Sequence, residues 1–132
     1  MISEEYVRMA RKAAREAYAP YSRYRVGAVL VTEDGAVFTG CNVENAAYGS
    51  TMCAERVALF KAVSEGHRKF ASLTLAAGTD SVGVPCGACL QALAEFCDGA
   101  MPVICAPLTA RAGKPRTFQL RNLLPEVFTL KK

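Results

Sequence analysis

Three cysteines, Cys53, Cys86 and Cys89, and one carboxylate, Glu55, are the residues of this chain whose types and spacing best suit chemistry. They lie in Thr51-Met52-Cys53-Ala54-Glu55-Arg56 and Pro85-Cys86-Gly87-Ala88-Cys89, well apart from the only histidine, His67. Three thiolates can hold a zinc ion and leave a fourth place for water. Structural zinc sites are closed by four protein ligands, whereas catalytic ones keep that place open. Glu55, two residues beyond the first cysteine, adds a group able to take and return a proton. Cys86 and Cys89 by themselves read first as a redox pair or half of a structural zinc knuckle. Joined to Cys53 and Glu55, they become catalytic in type. Cys41, Cys97 and Cys105 fall in strand or helix contexts and read as small buried hydrophobes. Cys41 is the candidate for closing the fourth place, but it ends a strand ahead of a polar loop. His67 follows a helix-ending glycine beside Arg68 and Lys69, and is expected on the surface.

The chain that must position these groups has 132 residues, 52% hydrophobic and 21% charged, which is the balance of one globular domain. A domain of this length buries roughly two thirds of the surface its unfolded chain exposes, so its core needs no disulfide staples. Met1-Ile2 leads straight into Ser3-Glu4-Glu5 without the pattern of a secretory leader, and a cytoplasmic location is expected. In a reducing compartment paired cysteines point to metal or redox chemistry. No run of eighteen apolar residues suggests a membrane span. The net charge of +4 is mild. Arg8, Arg11, Lys12 and Arg15 share one helical face, read as solvated rather than as a nucleic-acid surface because no aromatic stripe accompanies it.

Ser3, Glu4 and Glu5 mark a helix start, a capping oxygen followed by acids at the positive end of the dipole. That helix is predicted to reach about Tyr18, with Val7, Ala10, Ala14 and Ala17 as its packed stripe and Pro20 beyond its end. Tyr24 to Thr32 and Val37 to Thr39, joined by Glu33-Asp34-Gly35-Ala36, read as a β-hairpin. Asn42 to Ser50 is a polar loop. A second helix from near Cys53 to Gly66 and a strand from Phe70 to Ala77 follow, and this strand, helix, strand order predicts a right-handed crossover with parallel pairing. A third helix opens at Cys86 and runs to about Cys97. Met101 to Pro107 and Arg116 to Leu120 complete the strands. The expected class is α/β, a three-layer α/β/α sandwich around a central mixed sheet of about five strands. Both cysteine segments are loop-to-helix junctions, where free amides and the helix dipole favour thiolates.

These residues resemble a known pattern. Cys53-Ala54-Glu55 with Pro85-Cys86-Gly87-Ala88-Cys89 is similar to the zinc-dependent nucleobase deaminases. The likeness continues through Ala19-Pro20-Tyr21-Ser22, Val26-Gly27-Ala28, Gly40-Cys41-Asn42-Val43-Glu44-Asn45-Ala46-Ala47-Tyr48, and Leu123-Leu124-Pro125 before Phe128. In that order they look like the small cytidine deaminases, and the whole chain, residues 1–132, is then one such domain. The resemblance implies one zinc ion per subunit on Cys53, Cys86 and Cys89, with Glu55 as the non-ligating proton carrier. It also implies hydrolytic loss of ammonia from a free nucleoside. Asn42 and Glu44 match residues that bond the ribose, the Ala54 backbone the group that reads the base edge, and Tyr24 an aromatic lining the pocket. Ala46, Tyr48 and Phe128 match positions that reach the substrate from neighbouring subunits of a homotetramer.

Three sulfurs on Zn²⁺ leave a net charge of −1, and Arg56 is the cation placed to offset it from behind the ligands. The family usually carries Arg after the last zinc cysteine, where this chain has Leu90 before Gln91, so Arg56 is expected to act alone. The competing readings are a deaminase of RNA or of a cytosine-bearing antibiotic, and a zinc-stapled binding module. Asn42-Val43-Glu44-Asn45 favours a free nucleoside, and the module leaves Glu55 without a purpose.

Overall fold

The computed structural model describes residues 2–132, so Met1 and the part it plays in the opening motif lie outside the described residues. Helix α1 spans Glu4–Ala14; the Ser3 hydroxyl accepts from the Tyr6 amide at 3.3 Å, and Val7, Ala10 and Ala14 form the buried stripe. The helix ends sooner than its pattern predicts. Arg15, Glu16 and Ala17 donate to carbonyls three residues back, tightening the last turn. Tyr18 is drawn away to pair with Val43, its amide donating to the Asn42 carbonyl at 3.0 Å.

The hairpin of β1 (Val26–Thr32) and β2 (Val37–Cys41) is followed by α2 (Ala54–Ser64), β3 (Phe70–Ala77), α3 (Gly87–Ala94), β4 (Pro102–Ala106), β5 (Arg116–Gln119) and the one-turn α4 (Leu120–Leu123). The strands form a mixed sheet in the order β2-β1-β3-β4-β5. Parallel pairing across α2 does not occur: β1 lies between β2 and β3 and is antiparallel to both. Among the described strands of the sheet only β3 and β4 pair in parallel. The hairpin partner inserts because β1 is apolar on both faces and buried from Gly27 to Thr32, a central rather than an edge strand.

Alternation along β1 divides the core. Ala28 and Leu30 face Ala58 and Leu59 of α2 and Leu93 of α3, whereas Val29 and Val31 face Ala10 of α1. The sheet therefore carries α1 on one face and α2 with α3 on the other, the expected three layers. Two glycines set how close the layers come. A Cβ on Gly27 would stand 1.8 Å from the Ala10 carbonyl oxygen, and one on Gly40 would stand 2.4 Å from that of Ala54. Gly40 thus seats the first turn of α2 against β2, which fixes the height of Cys53 and Glu55 over the sheet. Among the described residues no helix is long and apolar enough to cross a membrane.

Candidate active site

Cys53 and Cys86 are the N-cap residues of α2 and α3, one position outside the helical turns in which the sequence pattern puts them. Both have extended backbones, with φ −75° and −72°. Cys89 lies in the first turn of α3, fully buried, and its amide donates to Cys86 Sγ at 3.5 Å. The three Sγ atoms lie within 4.8 Å of one another, and Cys53 Sγ is 3.8 Å from Cys86 Sγ. A tetrahedral zinc with sulfurs at about 2.3 Å requires sulfur separations of about 3.8 Å, so this trio fits that ion.

Arg56 completes the trio from inside α2. Its Nη2 donates to Cys53 Sγ at 3.5 Å, while its Nε is buried without a partner among the described residues. Hydrogen bonds from Cys89, Arg56 and Cys86 hold the Cys53 thiol down to about 5 despite its burial. Shared with Cys53 and buried more deeply, Cys89 is pushed up instead. Cys97, half-buried against the core, and Cys105, buried within it, are both pushed up to about 12 by burial.

Glu55 follows Cys53 on α2 and is only 4% exposed. Burial pushes its carboxyl up to about 7, and the neighbouring Cys53 charge adds to the rise. A cavity of about 260 Å³ opens beside it, lined by Cys53, Cys86, Ala54, Tyr24, Asn42 and Glu44 among others. The floor of this cavity therefore carries a proton donor or acceptor poised near neutrality next to a three-sulfur metal site.

The family model for the cytidine and deoxycytidylate deaminase zinc-binding region matches residues 1–105, which include all three cysteines and Glu55. A cytidine deaminase of Sporosarcina psychrophila is 48% identical over 96% of this chain and 90% of its own length. One of Halalkalibacterium halodurans is 45% identical over 93% and 91%. The crystal structure of cytidine deaminase from Burkholderia pseudomallei superposes with a TM-score of 0.89 at 42% identity, covering 97% of this chain and all of that one. The chain belongs to the cytidine and deoxycytidylate deaminase family.

In this family member, Asn42 and Glu44 line the cavity while also bonding their own chain. Asn42 Oδ1 accepts from the Val26 amide and Nδ2 donates to the Tyr24 carbonyl, both at 2.8 Å. Glu44 Oε1 accepts from the amides of Tyr21 and Ser22 at 2.9 and 3.1 Å, and Oε2 accepts from the Ser22 hydroxyl. That hydroxyl holds the Glu44 carboxyl below the ordinary range, so it stays ionised. Ala54 is fully buried and lines the cavity; as the first residue of α2, its N–H has no acceptor inside the helix. Tyr24 forms one wall, its phenol raised by burial and by Glu55.

The other three predicted residues are not brought together within one chain. Tyr48, 79% exposed, lines an adjoining cavity of about 380 Å³ that shares Ser22, Glu44 and Thr51 with the first. Ala46 is exposed and lines neither. Phe128 is 66% exposed beside α3, where Gln91 Nε2 donates to its carbonyl at 2.8 Å, and lines neither cavity. His67 is half-buried rather than exposed, because its ring packs edge-on against Phe38 at 5.1 Å. Leu90 is 6% exposed and belongs to the core. Sequence reasoning passed over Ser22, Thr51 and Val84 as lining residues. For Ser22 the signal was present in Ala19-Pro20-Tyr21-Ser22.

Proposed function

We propose that this protein catalyses zinc-dependent hydrolytic deamination of cytidine and 2′-deoxycytidine, giving the uridine forms and ammonia. One observation carries the reading: Glu55, buried and with its carboxyl raised to about 7, lines the same cavity as Cys53 and Cys86, two of the three clustered cysteines. Cys53, Cys86 and Cys89 would hold one zinc ion, which when bound supplies the acidification that makes water a nucleophile near neutral pH. Glu55 accepts one proton of that water and delivers it to ring N3, then takes the second proton from the oxygen now on C4 and gives it to the departing amino nitrogen, one carboxyl serving as base and acid in turn. Its raised range suits both duties. Protonating N3 weakens the aromatic ring for attack at C4, and the departing nitrogen leaves as ammonia.

Asn42 and Glu44 approach the ribose with the acceptor and donor capacity left after their backbone bonds. The ionised Glu44 accepts from a sugar hydroxyl, while its bonds to Ser22 keep it in place. The Ala54 N–H addresses the base edge, and Tyr24 covers one face of the base. Arg56 steadies the negative charge of the sulfurs through Cys53.

We further propose a homotetramer in the cytoplasm, with residues 1–132 as a single domain. Tyr48 and Phe128, exposed on one chain, would complete the pockets of neighbouring copies, and Ala46 would lie at the same junction. The test is ammonia release from cytidine, deoxycytidine, cytosine, adenosine and a cytosine-bearing antibiotic, with and without a chelator. Chelator-sensitive release from the two nucleosides is expected. Release from none of the five by zinc-loaded protein overturns the assignment.

A further inference from the structure

The loop from Gly78 to Pro85 joins β3 to Cys86, and within it Gly83 lies directly against the tip of the Tyr24 ring. A Cβ at position 83 would stand 2.4 Å from Tyr24 Oη, far inside the ~3.5 Å at which such atoms rest against each other. The next ring atom, Cζ, would be 3.6 Å away, an ordinary contact. Gly83 is not among the glycines with positive φ, so space rather than backbone conformation calls for the missing side chain. Its amide donates to the Ala77 carbonyl at 3.3 Å, which ties the slot to the end of β3.

Tyr24 is fixed at its other end. Its amide donates to Ser22 Oγ at 3.0 Å and its carbonyl accepts from Asn42 Nδ2 at 2.8 Å. Arg23, just before it, holds a positive φ of 59°, which turns the chain so that residue 24 enters the cavity. With its backbone held in this way, the overlap is relieved by rotation of the ring about its side-chain bonds, which changes the angle at which it stands in the cavity. Val84 and Cys86 follow Gly83 and line the same cavity, so the contact joins the aromatic wall to the segment bearing a metal ligand.

We infer that Gly83 is a positioning residue for substrate selection: the absent Cβ leaves a slot that seats the Tyr24 hydroxyl and so sets the angle at which the ring covers the base. The inference rests on Tyr24 being the wall of the nucleoside pocket. It makes the identities of residues 24 and 83 interdependent. A tyrosine at 24 disfavours alanine at 83 through its hydroxyl, whereas a phenylalanine would leave only the Ala77 Cβ close to the added methyl.

The experiment is a double-mutant cycle of Gly83→Ala and Tyr24→Phe on the full zinc-loaded protein, reading KM, kcat and zinc content. Gly83→Ala is expected to raise KM for cytidine about tenfold, in the range of a partly lost base stack, with kcat within about twofold and zinc unchanged. Adding Tyr24→Phe is expected to return KM to that of Tyr24→Phe alone. The 3.0 Å approach of a Cβ at 83 to Ala77 Cβ is the same in both backgrounds, so recovery isolates the hydroxyl. A Gly83→Ala protein with wild-type KM, or a double variant no better than Gly83→Ala, overturns the inference. If Gly83→Ala yields no folded protein, recovery of folded, zinc-loaded double variant supports it and a double variant that also fails overturns it. Wild-type protein and Tyr24→Ala run alongside. No turnover by the wild type would sink the deaminase reading, and an unchanged KM in Tyr24→Ala would remove the ring from the pocket and the inference with it.

Discussion

Arg56 Nη2 donates to Cys53 Sγ across 3.5 Å, one turn into the helix that Cys53 caps. The guanidinium is itself held more firmly protonated by that bond. A cation bonded to one sulfur of an anionic trio withdraws charge from the whole set, and here it does so without help from the residue after Cys89, which is the buried Leu90.

Replacing Arg56 by alanine should therefore weaken zinc retention by about 10- to 100-fold, the usual cost of losing a group that supports a metal ligand. Competition with a colorimetric chelator measures this directly. Arg56→Lys should recover only part of the loss, since an ammonium lacks the planar fork. Wild-type retention and turnover in Arg56→Ala would show that the sulfurs need no compensation from this side.

Glu55→Ala separates proton transfer from metal binding. The carboxyl is buried beside the trio but is not one of its three clustered ligand atoms. Zinc content should stay at one per chain while turnover falls by about 10²- to 10⁴-fold or more, the contribution expected of a positioned acid and base. Zinc loss in the variant would instead make Glu55 a ligand.

Gly40 and Gly27 give a paired test of what holds the site at its height. Alanine at 40 would place a Cβ 2.4 Å from the Ala54 carbonyl oxygen and 2.7 Å from the Ala58 amide nitrogen, backbone atoms of α2 that cannot swing aside. Overpacking of this kind costs roughly 1–3 kcal/mol. Both Gly40→Ala and Gly27→Ala should lower Tm, but Gly40→Ala alone should also loosen zinc, because the segment it displaces begins at Cys53. Equal zinc retention in the two variants would sever that link.

The same contrast between local and distant causes explains what could be read from the chain alone. The cysteine trio and Glu55 are legible because residue type and spacing carry their chemistry wherever the fold puts them. The start of α1 is legible for a similar reason: Ser3 and the two acids act within one turn. Its end is not, since Tyr18 leaves the helix to pair with Val43, a partner far along the chain. Nor is the placing of β1 between β2 and β3, a choice among long-range pairings that alternation within one strand leaves open. Ser22 is legible as part of Ala19-Pro20-Tyr21-Ser22, but its bond to Glu44, far along the chain, is not. The one-turn α4 after β5 is too short to show a period.

Phe128 provides the sharpest test of a shared pocket. On its own chain it is exposed and its backbone is clamped to Gln91 at both the amide and the carbonyl, which leaves the ring free to project toward a neighbour. Phe128→Ala should raise KM for cytidine by about 5- to 100-fold, the range for losing a stacked base partner, with kcat less affected. Glu55→Ala subunits are inactive for a different reason. If each pocket takes its Glu55 from one subunit and its Phe128 from another, subunits of the two variants unfolded and refolded together should form mixed sites with both residues intact. Activity at low cytidine should then exceed the average of the two variants refolded separately, and light scattering should show the mass of four chains. A mixture that gives only the average, from particles of confirmed mixed composition, would place Phe128 outside its neighbour's pocket.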